Sequence, residues 1–330
     1  MDQTERKYSI AIRTLGKSGD MFVRELESIK RQTIQPEKVV IYIAEGYERP
    51  PFTIGKEEYV WVKKGMVAQR ALPYDDIDSP LLLLLDDDVE LAPDSAQRLM
   101  DAMEKCQLDC VAAETMHDHR RPLAIRIYAA FTNLVFPHWS NKWAFKFHSN
   151  GSFSYNQHIT KDLYLSQSAA GPASLWKKQV FLDLHIEHEL WMDKFGFAYG
   201  DDGLTFNKLY KNGYSLGVHY NCGIVNLDAR SSSALFQQNN RKFYTRSMAS
   251  LMIWYRSCYN LSGISFFKKL WAASSFTFKA IWLLPVHVLS ALYMRSLKVL
   301  TNYVAGTIDG LKMVHSSEFK KIPNYILRKV

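Results

Sequence analysis

Short apolar runs alternate along the first part of the chain with segments whose apolar residues recur every three or four positions. Tyr8 to Ile12 is a β-prone run ending at Arg13-Thr14-Leu15-Gly16, the profile of a strand feeding a loop. Phe22, Val23, Leu26 and Ile29 fall at helical spacing, which predicts a helix over Phe22 to Gln32. Pro36 closes that unit, and Lys38 to Ile43 and Tyr59 to Val62 read as two further strands. Gly65 to Tyr74 is expected to be helical, with Pro73 near its end. Ser79-Pro80 then introduces five consecutive leucines, Leu81 to Leu85, which stop at Asp86-Asp87-Asp88. Ala92-Pro93-Asp94-Ser95 opens the next helix, with Asp94 or Ser95 as cap and Leu99, Met100 and Met103 on its apolar face. Strand, helix, strand, strand, helix, strand in this order predicts an α/β domain with a mostly parallel sheet. Such sheets bind ligands beyond the carboxyl ends of their strands, where Asp86 to Asp88 fall.

The rhythm breaks down from His117 to Ser168, an aromatic, His-rich stretch expected to hold loops and a long insertion. Ala169 to Trp176 reads as a turn and a strand, and Lys177 to Glu189 as a short helix and its exit. Gly200-Asp201-Asp202-Gly203 precedes a helix over Leu204 to Lys211, stopped by Asn212-Gly213, and Tyr214 to Val218 is another strand. Phe243 to Tyr259 looks helical, and Leu270 to Met294 is long and apolar but interrupted by Lys279, Pro285 and His287. That segment is expected to lie in a membrane interface, ahead of packing as a helical subdomain and of spanning the bilayer.

Composition narrows the class. With 330 residues, 47% apolar and 22% charged, the chain can bury a substantial core, which excludes a disordered, collagenous or bare coiled-coil protein. The net charge of +8 is unevenly spread: residues 241–330 hold 14 Lys and Arg against two Asp and Glu, whereas residues 1–240 hold 27 against 31. A basic tail rich in Trp, Phe and Leu suits an anionic membrane surface; no zinc finger, RNP pattern or leucine zipper points to nucleic acid. Two regions follow, an α/β domain over 1–240 and a basic, apolar helical region over 241–330. Cys106, Cys110, Cys222 and Cys258 are too few and scattered for a disulfide framework; Cys106 and Cys110 are read as buried thiols on one helix. A charged start without an apolar h-region predicts no signal peptide, and a cytoplasmic protein attached peripherally to the inner membrane face.

The acidic clusters carry the candidate chemistry. Three carboxylates at the end of an apolar strand repel one another, and a divalent cation relieves that repulsion. Hard oxygen ligands with open positions suit Mg²⁺ or Mn²⁺ chelated by a diphosphate. The alternative is a solvated acidic turn capping the next helix. Asp201-Asp202 sits between two glycines at a helix start, where the helix dipole favours a carboxylate and a substrate can approach closely. It reads as a general base for a hydroxyl, or simply as a cap. His185 and His188 read as surface histidines. Trp139, Trp143 and Trp191 read as core or rim packing. Arg241, Lys242, Arg246 and Arg256 could meet a lipid diphosphate or form a solvated basic face.

Over Tyr8 to Gly217 the sequence resembles the family 2 glycosyltransferases, inverting enzymes of GT-A fold. Ser9 to Thr14 is similar to that family's opening strand. Leu26-Glu-Ser-Ile-Lys-Arg-Gln-Thr33 with Pro36 resembles its "LxSLxxQT" helix. Gly65-Met-Val-Ala-Gln-Arg70-Ala resembles the "G…ARN" segment, with Arg70 sixteen residues before Asp86. Leu85-Asp-Asp-Asp88 with Pro93-Asp94 resembles the DxD motif and its following helix start. Gly200-Asp-Asp202 through Tyr210 to Gly213-Tyr214 is similar to "GED…RL…GY". The resemblance implies that Asp88 coordinates Mn²⁺ or Mg²⁺, with Asp86 and Asp87 supporting ribose, diphosphate or metal. Thr14 and Arg70 would line the nucleotide pocket, Glu45 would contact the base, and Gly171 with Pro172 would floor the donor sugar. Asp202 would deprotonate the acceptor hydroxyl, with Asp201 holding the acceptor. Asn226 or His219 would complete the metal site. Phe236 to Arg241 departs in spacing from the "QxxRW" motif of processive synthases, which favours single addition.

The expected function is therefore transfer of a sugar from a nucleoside diphosphate-sugar, a UDP-sugar favoured, to a lipid-linked or surface-polysaccharide acceptor. The alternatives are an inactive sugar-nucleotide-binding scaffold and a haloacid-dehalogenase-type phosphatase. The latter's Asp pair usually lies near the N-terminus with Thr or Val two residues on, where Glu90 stands here.

Overall fold

A computed structural model describes residues 6–115, 127, 130, 131, 138–195, 199–227 and 241–327. Its strands up to residue 227 are β1 (Tyr8–Thr14), β2 (Val39–Ala44), β3 (Glu57–Val62), β4 (Leu81–Asp86), β5 (Val89–Leu91), β6 (Cys110–Ala113), β7 (Phe145–Phe147), β8 (Phe153–Tyr155), β9 (Leu163–Leu165), β10 (Ala173–Lys177), β11 (Leu216–His219) and β12 (Ile224–Asn226). Between and after them run helices α1 (Asp20–Lys30), α2 (Ser95–Lys105), α3 (Lys178–Asp183), α4 (Asp201–Lys211), α5 (Arg241–Trp254), α6 (Phe266–Tyr293) and α7 (Lys298–His315). Most of the segment compared with the processive-synthase motif, 236–240, and the start of the His-rich stretch lie outside the described residues.

The predicted α/β class holds. Eight strands form one sheet in the order β3-β2-β1-β4-β10-β6-β11-β9. The β3-β2-β1-β4 half is parallel throughout, as is β6 with β11, while β10 and β9 run antiparallel to their neighbours. Alternation of side chains divides the leucine run of β4 between two cores. Leu81, Leu83 and Leu85 face α1 and α2 with Ile10, Ile12, Leu26 and Leu99, whereas Leu82 and Leu84 face Phe181, Leu204 and Met252. A strand buried on both faces must be apolar at every position, which is why its periodicity is flat. Each leucine removed from water contributes about 1.5–3 kcal/mol.

The helices beyond residue 240 close the second core: Met248, Leu251, Ile253, Val314 and Phe319 pack in the same cluster as Trp176 and Phe206. A buried ionic group ties them to α4. Glu189 accepts from Lys208 Nζ at 3.1 Å, from Arg256 at 2.5 and 3.2 Å, and from Trp191 Nε1 at 2.8 Å. The Lys208 and Arg256 charges outweigh the cost of burial and hold Glu189 below the usual carboxylate range. Arg256 is thus an internal counter-ion, donating also to Pro323 O at 2.8 Å, and is withdrawn from the residues offered to a lipid diphosphate.

Two local expectations are corrected. Residues 65–74 form irregular turns rather than a helix. The Asp193 carboxylate captures the Val67 and Ala68 amides at 3.0 and 2.8 Å, so a side chain from far along the chain holds the first turn. Cys106 and Cys110 do not share a helix: Cys106 is exposed at the end of α2, and Cys110 is buried in β6.

Candidate active site

The carboxyl ends of β1 and β4 lie side by side, with Arg13 in register with Asp86. Arg13 Nε donates to Asp86 Oδ1 at 2.6 Å, and its Nη1 donates to Met66 O at 2.8 Å. Thr14 Oγ1 donates to Asp87 Oδ2. The chain then turns sharply at Asp87-Asp88 into β5, which pairs with β12 so that Asn226 stands opposite Val89 and the Leu227 amide donates to Asp88 O at 2.7 Å. The triplet is thereby fanned out: Asp86 turns to the arginines, Asp87 to β1, and Asp88 adjoins the strand carrying Asn226.

α4 brings the second acidic pair to the same place. Gly200 caps it at φ +83°, a left-handed conformation that glycine adopts without strain. Asp201 and Asp202 occupy the first turn, where unpaired amides and the helix dipole favour negative charge. Arg70, delivered by the 65–71 turns, joins the clusters. Its Nη1 donates to Asp202 Oδ1 and lies 3.4 Å from Asp201 Oδ2; its Nη2 donates to Gly171 O at 3.0 Å and lies 3.4 Å from Asp86 Oδ1. Arg13 Nη1 adds an ion pair with Asp201 at 3.7 Å. The Gly171 amide donates to Asp202 Oδ2 at 3.2 Å, and a β-carbon at Gly171 would run into that carboxylate. A small crevice opens here between Arg13, Tyr42, Gln69, Arg70, Asp86 and Gly171.

The electrostatics follow from burial opposed by pairing. Burial pushes Asp86 up, but the Arg13 and Arg70 guanidiniums outweigh it and hold the group below the usual carboxylate range. Asp87 is raised: burial exceeds the help from the Thr14 and Ser18 hydroxyls. Arg70 is lowered by burial and by neighbouring Arg13. Beneath the turn lies Glu25 of α1, fully buried, with neither carboxyl oxygen hydrogen-bonded. Burial first, then the charges of Asp87, Asp88 and Asp86, raise its pKa well above normal. Burial and the negative potential at the strand end thus both favour the protonated carboxyl of Glu25, and a divalent cation would offset that potential.

That potential and the all-oxygen donor set fit Mg²⁺ or Mn²⁺, which take one or two carboxylates and complete their shell with phosphate and water. Asp88 precedes β5, and Asn226 stands opposite Val89 on the paired strand. The resemblance leaves Asn226 or His219 as the further ligand; the His219 ring accepts the Asn221 amide through Nδ1 at 3.1 Å at the buried end of β11. Among the described residues, the His/Cys/Asp/Glu group of three whose ligand atoms lie within 4.8 Å is His185, Glu187 and His188, at the surface. Its His185 Nδ1 is already bonded to Glu187 at 2.8 Å.

Arg13, Arg70, Asp86, Gly171, Asp201 and Asp202 thus form one connected network; Thr14 and Asp87 pair beside it, and Asp88 lies at its margin. Glu45 sits in the exposed turn after β2, at the same sheet end as Thr14. No hydrogen bond or ion pair links its side chain to the network among the described residues. Sequence reasoning missed three members. Arg13 could have been suspected as a charge inside an otherwise apolar strand. Glu25 could have been found at a core-facing helical position between Phe22 and Ile29. Asp193, which holds the Arg70 segment, carries no local signal.

No protein-family model matches the sequence, and no curated protein matches it. Among solved structures the chain is similar to GalNAc-T7, crystallised with UDP, GalNAc and Mn²⁺, with a TM-score of 0.47 at 12% identity. The similarity covers 67% of this chain and 43% of that one, less than half its length. The chemistry assigned below is carried by this chain's own residues.

Proposed function

We propose that the protein is a metal-dependent, inverting glycosyltransferase that moves a sugar from a nucleoside diphosphate-sugar, a UDP-sugar favoured, to a hydroxyl of a lipid-linked or surface-polysaccharide acceptor. The observation that carries this reading is the convergence of the β4 acidic end and the α4 acidic pair on one buried guanidinium, Arg70. A binding scaffold has no evident need to bury so many charges around one crevice, whereas group transfer from a diphosphate needs both an electrophilic and a basic pole.

Asp88 and Asn226 would hold the divalent cation, which when bound offsets the negative charge of the departing nucleoside diphosphate. Thr14 and Glu45, at the ends of adjacent strands, are disposed toward ribose and base. Asp202 serves as general base: its Oδ2 is fixed by the Gly171 amide and its Oδ1 by Arg70, so the carboxylate is oriented before an acceptor arrives. An acceptor hydroxyl passes its proton to Asp202 as its oxygen attacks the anomeric carbon from the face opposite the diphosphate, inverting that centre. Asp201, held by Arg13 and Arg70, lines the acceptor side. Arg70 lies between the two poles and can exchange a carboxylate contact for a phosphate oxygen when donor is bound.

The test is a donor-hydrolysis screen with purified protein, Mn²⁺ or Mg²⁺, and a panel of UDP-, GDP- and dTDP-sugars. Metal-dependent release of the nucleoside diphosphate from one donor, lost in Asp88→Asn, is expected. Asp202→Asn should retain donor binding by calorimetry while transfer falls about 10²–10⁴-fold. Well-folded protein that neither binds nor cleaves any donor would overturn the reading in favour of a scaffold.

A further inference from the structure

α6 is built inside out. Its inward face carries its one charged residue beyond the first turn, Lys279, which is buried and donates to Ser152 Oγ at 2.6 Å, with Asn150 O at 3.4 Å. Trp254 stacks on Phe276 at 4.4 Å between ring centroids, and Tyr303 of α7 donates to Ala280 O at 3.0 Å, sealing the same face. The outward arc is apolar and uncovered. Leu270, Trp271, Phe278, Ile281, Leu289 and Leu292 are each more than half exposed, and no charged residue lies on that arc from Leu270 to Met294. α7 extends the patch with Val304, Ile308 and Leu311. A helix in water shows the reverse arrangement, and a patch of this extent needs a cover.

Charge identifies the cover. Lys268 and Lys269 stand at one end of α6, and Arg295 and Lys298 stand at the other. Residues 241–330 carry seven times as many basic as acidic groups, 14 against two. An apolar face flanked by cations matches the acyl boundary of an anionic bilayer, where each basic residue near the surface contributes about 1 kcal/mol. Orientation follows from the inward face. Turning α6 across the bilayer would pull Lys279 from Ser152 and Asn150 into hydrocarbon, a cost of several kcal/mol.

We propose that the outer face of α6, extended by α7, is an in-plane anchor that seats the protein on one leaflet of an anionic phospholipid membrane without crossing it. The loop that receives Lys279 runs directly into β8, whose Phe153 ring packs against Gly203 beside Asp202. Anchor and acidic site therefore share one support, an arrangement that favours an acceptor presented from the lipid surface. The anchor itself stands or falls independently of the chemistry assigned to that site.

The test uses the full chain and sealed vesicles, with no enzymatic readout. Cosedimentation with phosphatidylglycerol-containing vesicles is expected, falling in high salt, absent with pure phosphatidylcholine, and reduced at least tenfold by Leu270→Glu with Leu289→Glu. Both positions point outward, so the unfolding midpoint should stay unchanged. Spin labels at Leu270→Cys, Ile281→Cys and Leu292→Cys, in a Cys106→Ser background, then report depth. An in-plane helix places all three at similar shallow depth. A spanning helix spreads the outer two by about 30 Å, from 1.5 Å rise per residue. That spread would overturn the proposal. So would failure to bind anionic vesicles, or a concentration-dependent dimer abolished by the double substitution in the absence of lipid.

Discussion

Arg70 is the residue whose removal should disturb the molecule most informatively. Its guanidinium is buried and meets Asp86, Asp201, Asp202 and Gly171 O. In Arg70→Gln the three carboxylates keep only Arg13, which reaches Asp86 at 2.6 Å and Asp201 at 3.7 Å and leaves Asp202 with the Gly171 amide alone. Breaking a buried ion pair from one side costs about 3–5 kcal/mol, and proton uptake by the crowded carboxylates relieves part of it. A net loss of about 3 kcal/mol at pH 7 is expected, or about 1 M in urea midpoint. The pH dependence identifies the cause. In the native protein Asp86 is held below its normal range, so its contribution is present at neutral pH and fades as pH falls through the acid range. Without Arg70, Asp86 keeps one cation in place of two, so proton uptake becomes easier and relieves the penalty as pH falls. The deficit should therefore be smaller at about pH 3.5 than at pH 7, as read by urea titrations. A deficit below 1 kcal/mol, or one that does not change with pH, would refute the claim that Arg70 balances these charges.

Two further predictions concern Gly171 and Lys279. Gly171→Ala drives a methyl group into the Asp202 carboxylate; it should cost about 1–3 kcal/mol in chemical denaturation and depress transfer more than donor binding. Burial, aided by Arg246, lowers Lys279 to about 8, so the fold gains stability as pH rises from about 8 toward the normal lysine range. Measured against Lys279→Met, that rise should reach at most about 3 kcal/mol; parallel stability curves for the two proteins would disprove it.

What the sequence determined by itself was whatever depends on neighbours in the chain. The five leucines before Asp86 announced a strand buried on both faces, because only continuous apolarity satisfies two cores at once. The glycine-flanked Asp201-Asp202 announced a helix start, because first-turn amides and a left-handed cap leave a local signature. The apolar length of α6 was equally legible, as was the basic bias around it. Tertiary structure alone decided the through-space partners. Nothing near residue 70 reveals that Asp193 would hold the turns there, or that Arg70 would meet a carboxylate 132 positions away. Arg256 reads as a surface charge until the fold brings Glu189 against it, and Glu25 as an ordinary helix residue until the acidic turn closes over it. Which face of α6 turns inward was likewise settled only by the pocket that receives Lys279. Periodicity and capping are short-range terms summed along the backbone, whereas burial and charge pairing depend on which distant segments exclude water together.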